Sequence, residues 1–545
     1  MGGVSCRGLA GGGLIALACT LGPSAQAQSL GPLVQITAGD PFSRCTADRL
    51  TSQEAAYGSI LYPNTAIEPW VAIDPTDRTR LLVGHQQDRW DDGGSRGLVG
   101  NLSTDGGGTW SNTIPGGVSE CTGGKFPRAS DPWVTFSPHG TAFFFSLTLF
   151  PAQATTPFGS RRSGMLVSRS TDHAKTWSDP TTLIANNTPH VLNDKNSITA
   201  DPKSPGFVYA VWDQLSVFPS PGDTSADALL ASNDGVVIAH DLLRTAAAGG
   251  APFFKFAFTG PTFFSQTQDD GATWSEPAAI YQPGTNAQTI NNIVQVLPKG
   301  DVLDFFTNLD FSVSVPTQKI GYVRSTDKGL SWSGPTFVTD IQVVGVVTPD
   351  SQQPVRDASI LYSVAVDPAS GALYLSWQDD RFSTGTCTTP TGSIPIDGIV
   401  FTQSLDGGKN WSPPVKINQT PTNTNPCREQ AFIPAVVAAG DGTVVVTYYD
   451  FRNKVATPGF EATDYFAVFC FAGIPGVDCS QPANWGNEQR LTPTSFNILN
   501  APIARGHFLG DYMGLAASGQ SVLPVFGIAT GPNLTADFTR LIIVP

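Results

Sequence analysis

The sequence predicts an all-β chain, a single ring of seven four-stranded antiparallel blades. Three observations predict it. An eight-residue pattern, Ser/Thr-x-Asp-x-Gly-x-Thr-Trp, recurs along the chain. The stretches around each copy alternate apolar and polar residues with period two, as half-buried strands do. Gly (56) and Pro (43) are plentiful and long helical patterns are scarce, which favours short strands joined by turns.

From the N-terminus, Arg7, the apolar run LIALACT (14–20) and Ala25-Gln26-Ala27 read as a signal peptide over residues 1–27. The run is too short to span a bilayer, and no later segment looks membrane-spanning. Residues 28–545 then form one repeat domain, exported to the extracellular space or periplasm. The pattern reads STDGGGTW (103–110), STDHAKTW (170–177), TQDDGATW (267–274), STDKGLSW (325–332) and SLDGGKNW (404–411). Its chemistry suits a hairpin turn. Asp accepts from turn amides, Gly supplies positive φ and Trp buries a large ring. A strand precedes each copy, as in GIVFTQS (398–404), and Ser-x-Pro with another strand often follows, as in SPPVKIN (412–418). Upstream lie paired strands such as SVAVDPASGALYLSWQ (363–378). First strands begin near Trp70, Trp133, Ser197, Ile293, Leu361, Ile433 and Tyr512, which counts seven blades. The sixth lacks the pattern but keeps a worn remnant, NWGNEQRLT (484–492). The seventh has three strands, and GPLVQITAG (31–39) is expected to supply its fourth and close the ring, which removes open sheet edges.

Charged residues are 14% of the chain, against a usual ~25%. The net charge of −14 argues against nucleic acid as a partner. Beyond the leader lie Cys45, Cys121, Cys387, Cys427, Cys470 and Cys479. An even count in an exported chain suggests disulfides. Fifteen pairings are open, and proximity along the repeats favours 45–121, 387–427 and 470–479. No pattern supports a metal site, and no cofactor is expected.

These five copies resemble the Asp boxes (BNR repeats) of sialidases and related β-propellers. In that family the box lies in the turn between a blade's third and fourth strands. Sialidases have six blades, the alternative count here. Propeller topology puts boxes and first-to-second turns on one face, and second-to-third loops and blade-to-blade links on the other, where function is expected. Those links carry Glu68, Asp131, Asp194, Lys195, Arg356, Arg428, Glu429, Arg505 and Asp511. The second-to-third loops repeat Asp beside Arg, as in WQDDR (377–381) and YYDFR (448–452), read as structural ion pairs or ligand contacts. Blade three is interrupted between Gln214 and Thr262 by a stretch holding a short helix candidate, VVIAHDLLRTAAAGG (236–250), read as a rim or a surface insertion.

The resemblance implies a glycoside hydrolase of exo-α-sialidase type. Arg356, Arg428 and Arg505 would clamp a substrate carboxylate with forked donors, or form three separate salt bridges. Tyr512 would be the nucleophile, polarised by Glu429. Asp131 would be the general acid–base. Trp70 and Trp133 would wall the sugar ring. The Phe/Tyr-Arg-Ile-Pro motif of sialidases is absent, and KFPRASDPW (125–133) has a different order, which puts the clamp in doubt. A non-catalytic propeller binding glycan or protein is the alternative, and an assembly factor a third reading. A monomeric protein with a carbohydrate partner is expected.

Overall fold

The computed structural model describes residues 28–37, 39–47, 59–149, 163–188, 190–219, 256–389, 392–422 and 425–544. The signal-peptide candidate over residues 1–27 and the 236–250 helix candidate lie outside them. Strand is the main regular structure of the described residues, with only a few short 3-10 turns beside it, and none of their helices is long and apolar enough to cross a membrane.

The strands group into successive antiparallel meanders. The first runs Leu61–Ile73, Leu81–Trp90, Ser95–Ser103 and Ser111–Thr113. The second runs Arg128–Phe136, Ala142–Leu149, Ser163–Ser170 and Thr181–Asn186. Equivalent sets start at Val191, Ala287, Tyr362 and Ala431. In the seventh unit, Gly514–Ser518, Ser521–Gly531 and Leu534–Thr539 pair in order, and Val34–Gln35 adds a fourth strand through Val34↔Thr539 and Gln35↔Phe538. Each unit's first strand packs on that of the next, and Gly514–Ser518 packs on Leu61–Ile73. In the interrupted third unit, the second strand runs on to Pro219 and pairs with an added strand, Phe256–Gly260.

All five pattern copies are hairpin turns of one geometry. In the first, Ser103 Oγ accepts from the Gly107 amide (2.9 Å), and Asp105 accepts from the Thr109 amide (2.9 Å) and hydroxyl (2.7 Å). These donors favour the charged form and hold the Asp105 pKa down at about 2. In the second copy Ala174 replaces Gly and still adopts φ 64°, its amide bonded to Ser170 Oγ. From the second unit on, the box tryptophan reaches back to the preceding unit. Trp177 donates to Thr113 (2.8 Å), and Trp274, Trp332 and Trp411 pack edge-on against Phe143, Phe264 and Phe305. Trp485, in the worn copy, does the same against Phe401, its ring centroid 4.7 Å away.

The three disulfides join Cys45–Cys121, Cys387–Cys427 and Cys470–Cys479, the pairing expected from proximity. Arg381 pairs with Asp379 and Arg452 with Asp450, so these two Asp-Arg repeats are ion pairs that pin their loops.

Candidate functional site

The centre is assembled by one device repeated at the start of the units. Glu68, Asp131, Lys195, Asn291, Ala358 and Ile433 all have left-handed φ, between 40° and 63°. Except at Ala358, strand register slips around this residue, between Ile67 and Trp70 in the first unit and between Ser130 and Trp133 in the second. Such a bulge bends the strand and re-aims a side chain. Left-handed backbone at a β-branched residue such as Ile433 persists only where surrounding structure enforces it. Pro69, Pro132 and Pro434 follow three of these residues, where an amide hydrogen would find no ladder partner.

Three of the bulges deliver charge. Lys195 Nζ lies 2.8 Å from Asp511 Oδ2, 3.1 Å from Asp131 Oδ2 and 3.7 Å from Glu68 Oε1. These residues come from the starts of four units, and all four are buried. Arg356 reaches the same point because Pro354–Arg356 pairs in parallel with His507–Phe508. Its Nε donates to Asp511 Oδ1 (2.7 Å), a second nitrogen donates to Oδ2, and its guanidinium covers the Phe508 ring at 4.3 Å. Glu68 accepts from Gln86 and from the Asp511 amide (3.1 Å).

The environments drive these groups apart. Burial pushes the Glu68 carboxyl up to about 8 against the pull of Lys195. Burial also disfavours charge on Asp511, yet Arg356 and Lys195 hold its carboxyl far below the usual range. Burial opposes charge on Lys195 as well, but Asp131, Asp511, Glu68 and Asp194 keep its pKa well above ordinary. At neutral pH the centre therefore holds a protonated carboxyl beside an ionised one.

An aromatic wall adjoins it. Trp70 and Trp133 stack with centroids 3.5 Å apart, and Tyr512 packs edge-on against both, at 6.0 and 5.4 Å. The Tyr512 hydroxyl donates to the Pro132 carbonyl (3.4 Å). Its pKa is raised well above ordinary by burial, then by the negative charge of Glu68 and Asp131. These rings and Asp511 line a cavity of about 20 Å³, room for a water and little more.

Of the residues singled out in the sequence, Asp131, Tyr512, Arg356, Trp70 and Trp133 come together here. Arg428 does not join them. It donates to Asp350 (2.5 Å) and to the Asn453 carbonyl (3.1 Å). Arg505 is exposed, with φ 62°. Glu429 sits in the short helix Pro426–Glu429, tethered by Cys427, and its charge acts on Lys416. The carboxyls acting on Tyr512 are those of Glu68, Asp131 and Asp511, not that of Glu429. Glu68, Lys195 and Asp511 were among the link residues but not singled out. The repeated Glu-Pro-Trp (68–70) and Asp-Pro-Trp (131–133) carried the signal, equivalent bulges aimed at one axis.

The box turns lie at the other end of the same strands. His173 Nδ1 lies 2.7 Å from Asp74 Oδ2, and Lys328 donates to Asp201 (2.8 Å), both carboxylates standing in first-to-second turns.

No family model matches the chain, and no curated protein matches it. Among solved structures it is similar to a Hadza microbial sialidase, at 14% identity and TM-score 0.41, over 83% of this chain and 75% of that one. It is also similar to an α-L-arabinanase of Penicillium chrysogenum complexed with arabinobiose, at 11% identity and TM-score 0.39, over 94% and 98%. A Dyadobacter fermentans protein of unknown function gives 14% identity and TM-score 0.40, over 89% and 98%. With every score below 0.5, none of these likenesses carries an argument for this chain.

Proposed function

We propose that this chain is an exported hydrolase of neutral glycosides, a seven-bladed β-propeller closed by its N-terminal strand, working at the carboxyl centre opposite the Asp boxes. One observation carries the reading. Glu68, Asp131 and Asp511 converge on one lysine, with Glu68 protonated and Asp511 ionised at the same pH. Two titratable groups driven apart by their surroundings are the usual basis of an acid–base assignment. Glu68 would protonate the leaving oxygen. Asp131, whose Oδ2 has no hydrogen-bond partner beyond the Lys195 charge, would activate the attacking group. Trp70, Trp133 and Tyr512 would pack a sugar face. Arg356 is neutralised by Asp511 and Arg428 by Asp350, which disfavours an acidic sugar. Substrate access requires the loops around the centre to open.

The burial of every charged group there favours a second reading, a non-catalytic binding propeller whose centre is a structural plug. A screen of chromogenic glycosides, sialosides included, separates the two. The hydrolase reading expects turnover of at least one neutral glycoside, lost in Glu68→Gln. Silence across the screen leaves the plug.

A further inference from the structure

The box turns interlock neighbouring units in a repeated way. The fourth box residue, always at left-handed φ, reaches the first-to-second turn of the preceding unit in the second, third and fourth units. His173 contacts Asp74, Lys328 donates to Asp201, and Asp270 accepts from Thr141. Two of these three contacts place a basic side chain on the carboxylate that opens the turn, in DPTD (74–77) and DPKS (201–204). The fifth unit has the same turn, DPAS (367–370).

The sixth unit has no box to meet it. Its third-to-fourth link runs through the Cys470–Cys479 disulfide to Trp485. The Asp367 carboxylate receives only the Ala369 amide (2.8 Å) and the Ser370 hydroxyl (2.7 Å) of its own turn, and no cation of the next unit reaches it among the described residues. A groove of about 480 Å³ stands there, within the size range of ligand sites. Asp367, Asp441 and Asp478 line it, with no lysine or arginine. Leu405 lines it too and is 70% exposed. The other four boxes have Thr or Gln at that second position.

We propose that this groove docks a basic segment of a partner protein, whose Lys or Arg takes on Asp367 the place that Lys328 takes on Asp201, with a neighbouring apolar side chain on Leu405. Three carboxylates and no cation set the sign of the partner. A second copy of this chain, itself at −14, is disfavoured. The site lies on the box face, away from the carboxyl centre, and stands whether or not that centre is catalytic.

The test is fluorescence anisotropy on the full chain with a labelled Ala-Leu-Lys-Leu-Lys-Ala peptide, its Glu-for-Lys counterpart, and calcium chloride. Asp441→Asn removes an exposed groove carboxylate. Ala369→Arg gives the turn its own cation, and a thermal melt checks its fold. Asp340→Asn is the charge-matched control on an exposed residue outside the groove lining. The expected result is binding of the lysine peptide alone, weakened at least tenfold by Asp441→Asn and by Ala369→Arg but not by Asp340→Asn. Equal weakening by the control, or none by either groove variant, means general attraction to an acidic surface and overturns the proposal. Saturable calcium binding lost in Asp441→Asn, without peptide binding, also overturns it and marks a cation site.

Discussion

Removing the Asp511 carboxyl would leave Lys195 and Arg356 buried with one partner fewer each. Uncompensated buried charge is costly, so Asp511→Ala is expected to destabilise the fold by about 3–5 kcal/mol in denaturant titration. Glu68→Gln should behave differently. Glu68 already carries a proton at neutral pH, so the neutral amide keeps its shape and charge. Stability should stay within about 1 kcal/mol while glycoside turnover falls roughly 10²–10⁴-fold. The pH dependence follows from the raised carboxyl. The folded state keeps a proton that the unfolded chain releases near 4.5. That contribution is fully present below about pH 4.5 and is lost as pH rises through about 8. Melting temperature should fall between about pH 4.5 and pH 8, and Glu68→Gln should flatten the fall. A Glu68→Gln melt that still falls equally would assign the loss to other groups.

At the scale of the element, the box turn joins hydrogen bonding within a hairpin to packing between units. Asp105, Asp172, Asp269, Asp327 and Asp406 all have carboxyls held at about 2 by turn donors. A depressed carboxyl contributes stability above its unfolded value of 3.8 that is lost as pH falls through about 2. Acid unfolding is therefore expected between about pH 4 and pH 2, and Asp269→Ala should lower the melting temperature while sparing any activity. Trp485→Ala removes the ring that joins the sixth unit to the fifth. A cost of about 3–5 kcal/mol is expected, as for other buried tryptophans. If the loss is below about 1 kcal/mol, Trp485 is no counterpart of the box tryptophans.

For the whole molecule, the N-terminal segment has the most distant partners, Ser29–Leu30 on Ile542–Ile543 and Val34–Gln35 on Leu534–Thr539. Deleting residues 28–39 would strip Leu534–Thr539 of its outer neighbour and expose an edge that pairs readily with other chains. Oligomers in light scattering, with a lower melting temperature, are expected. An unchanged monomer would mean that this segment is dispensable.

The sequence alone determined the repeating unit and the box turns; it left fifteen disulfide pairings open, and proximity favoured the one that the structure shows. The unit and the box are periodic or local, and hydrogen bonding within eight residues suffices to specify a box. The tertiary structure decided which links reach the centre. Asp131 and Tyr512 were named from the sequence because they lie where links enter first strands and because the resemblance asks for an acid and a tyrosine there. Glu68 and Lys195 were not singled out because one bulge among several equivalent ones carries no address on the axis. Arg356, Arg428 and Arg505 look alike in the chain. Only the parallel pairing of Pro354–Arg356 with His507–Phe508 brings the first of them to Asp511, because a side chain's reach depends on where its backbone is held in space.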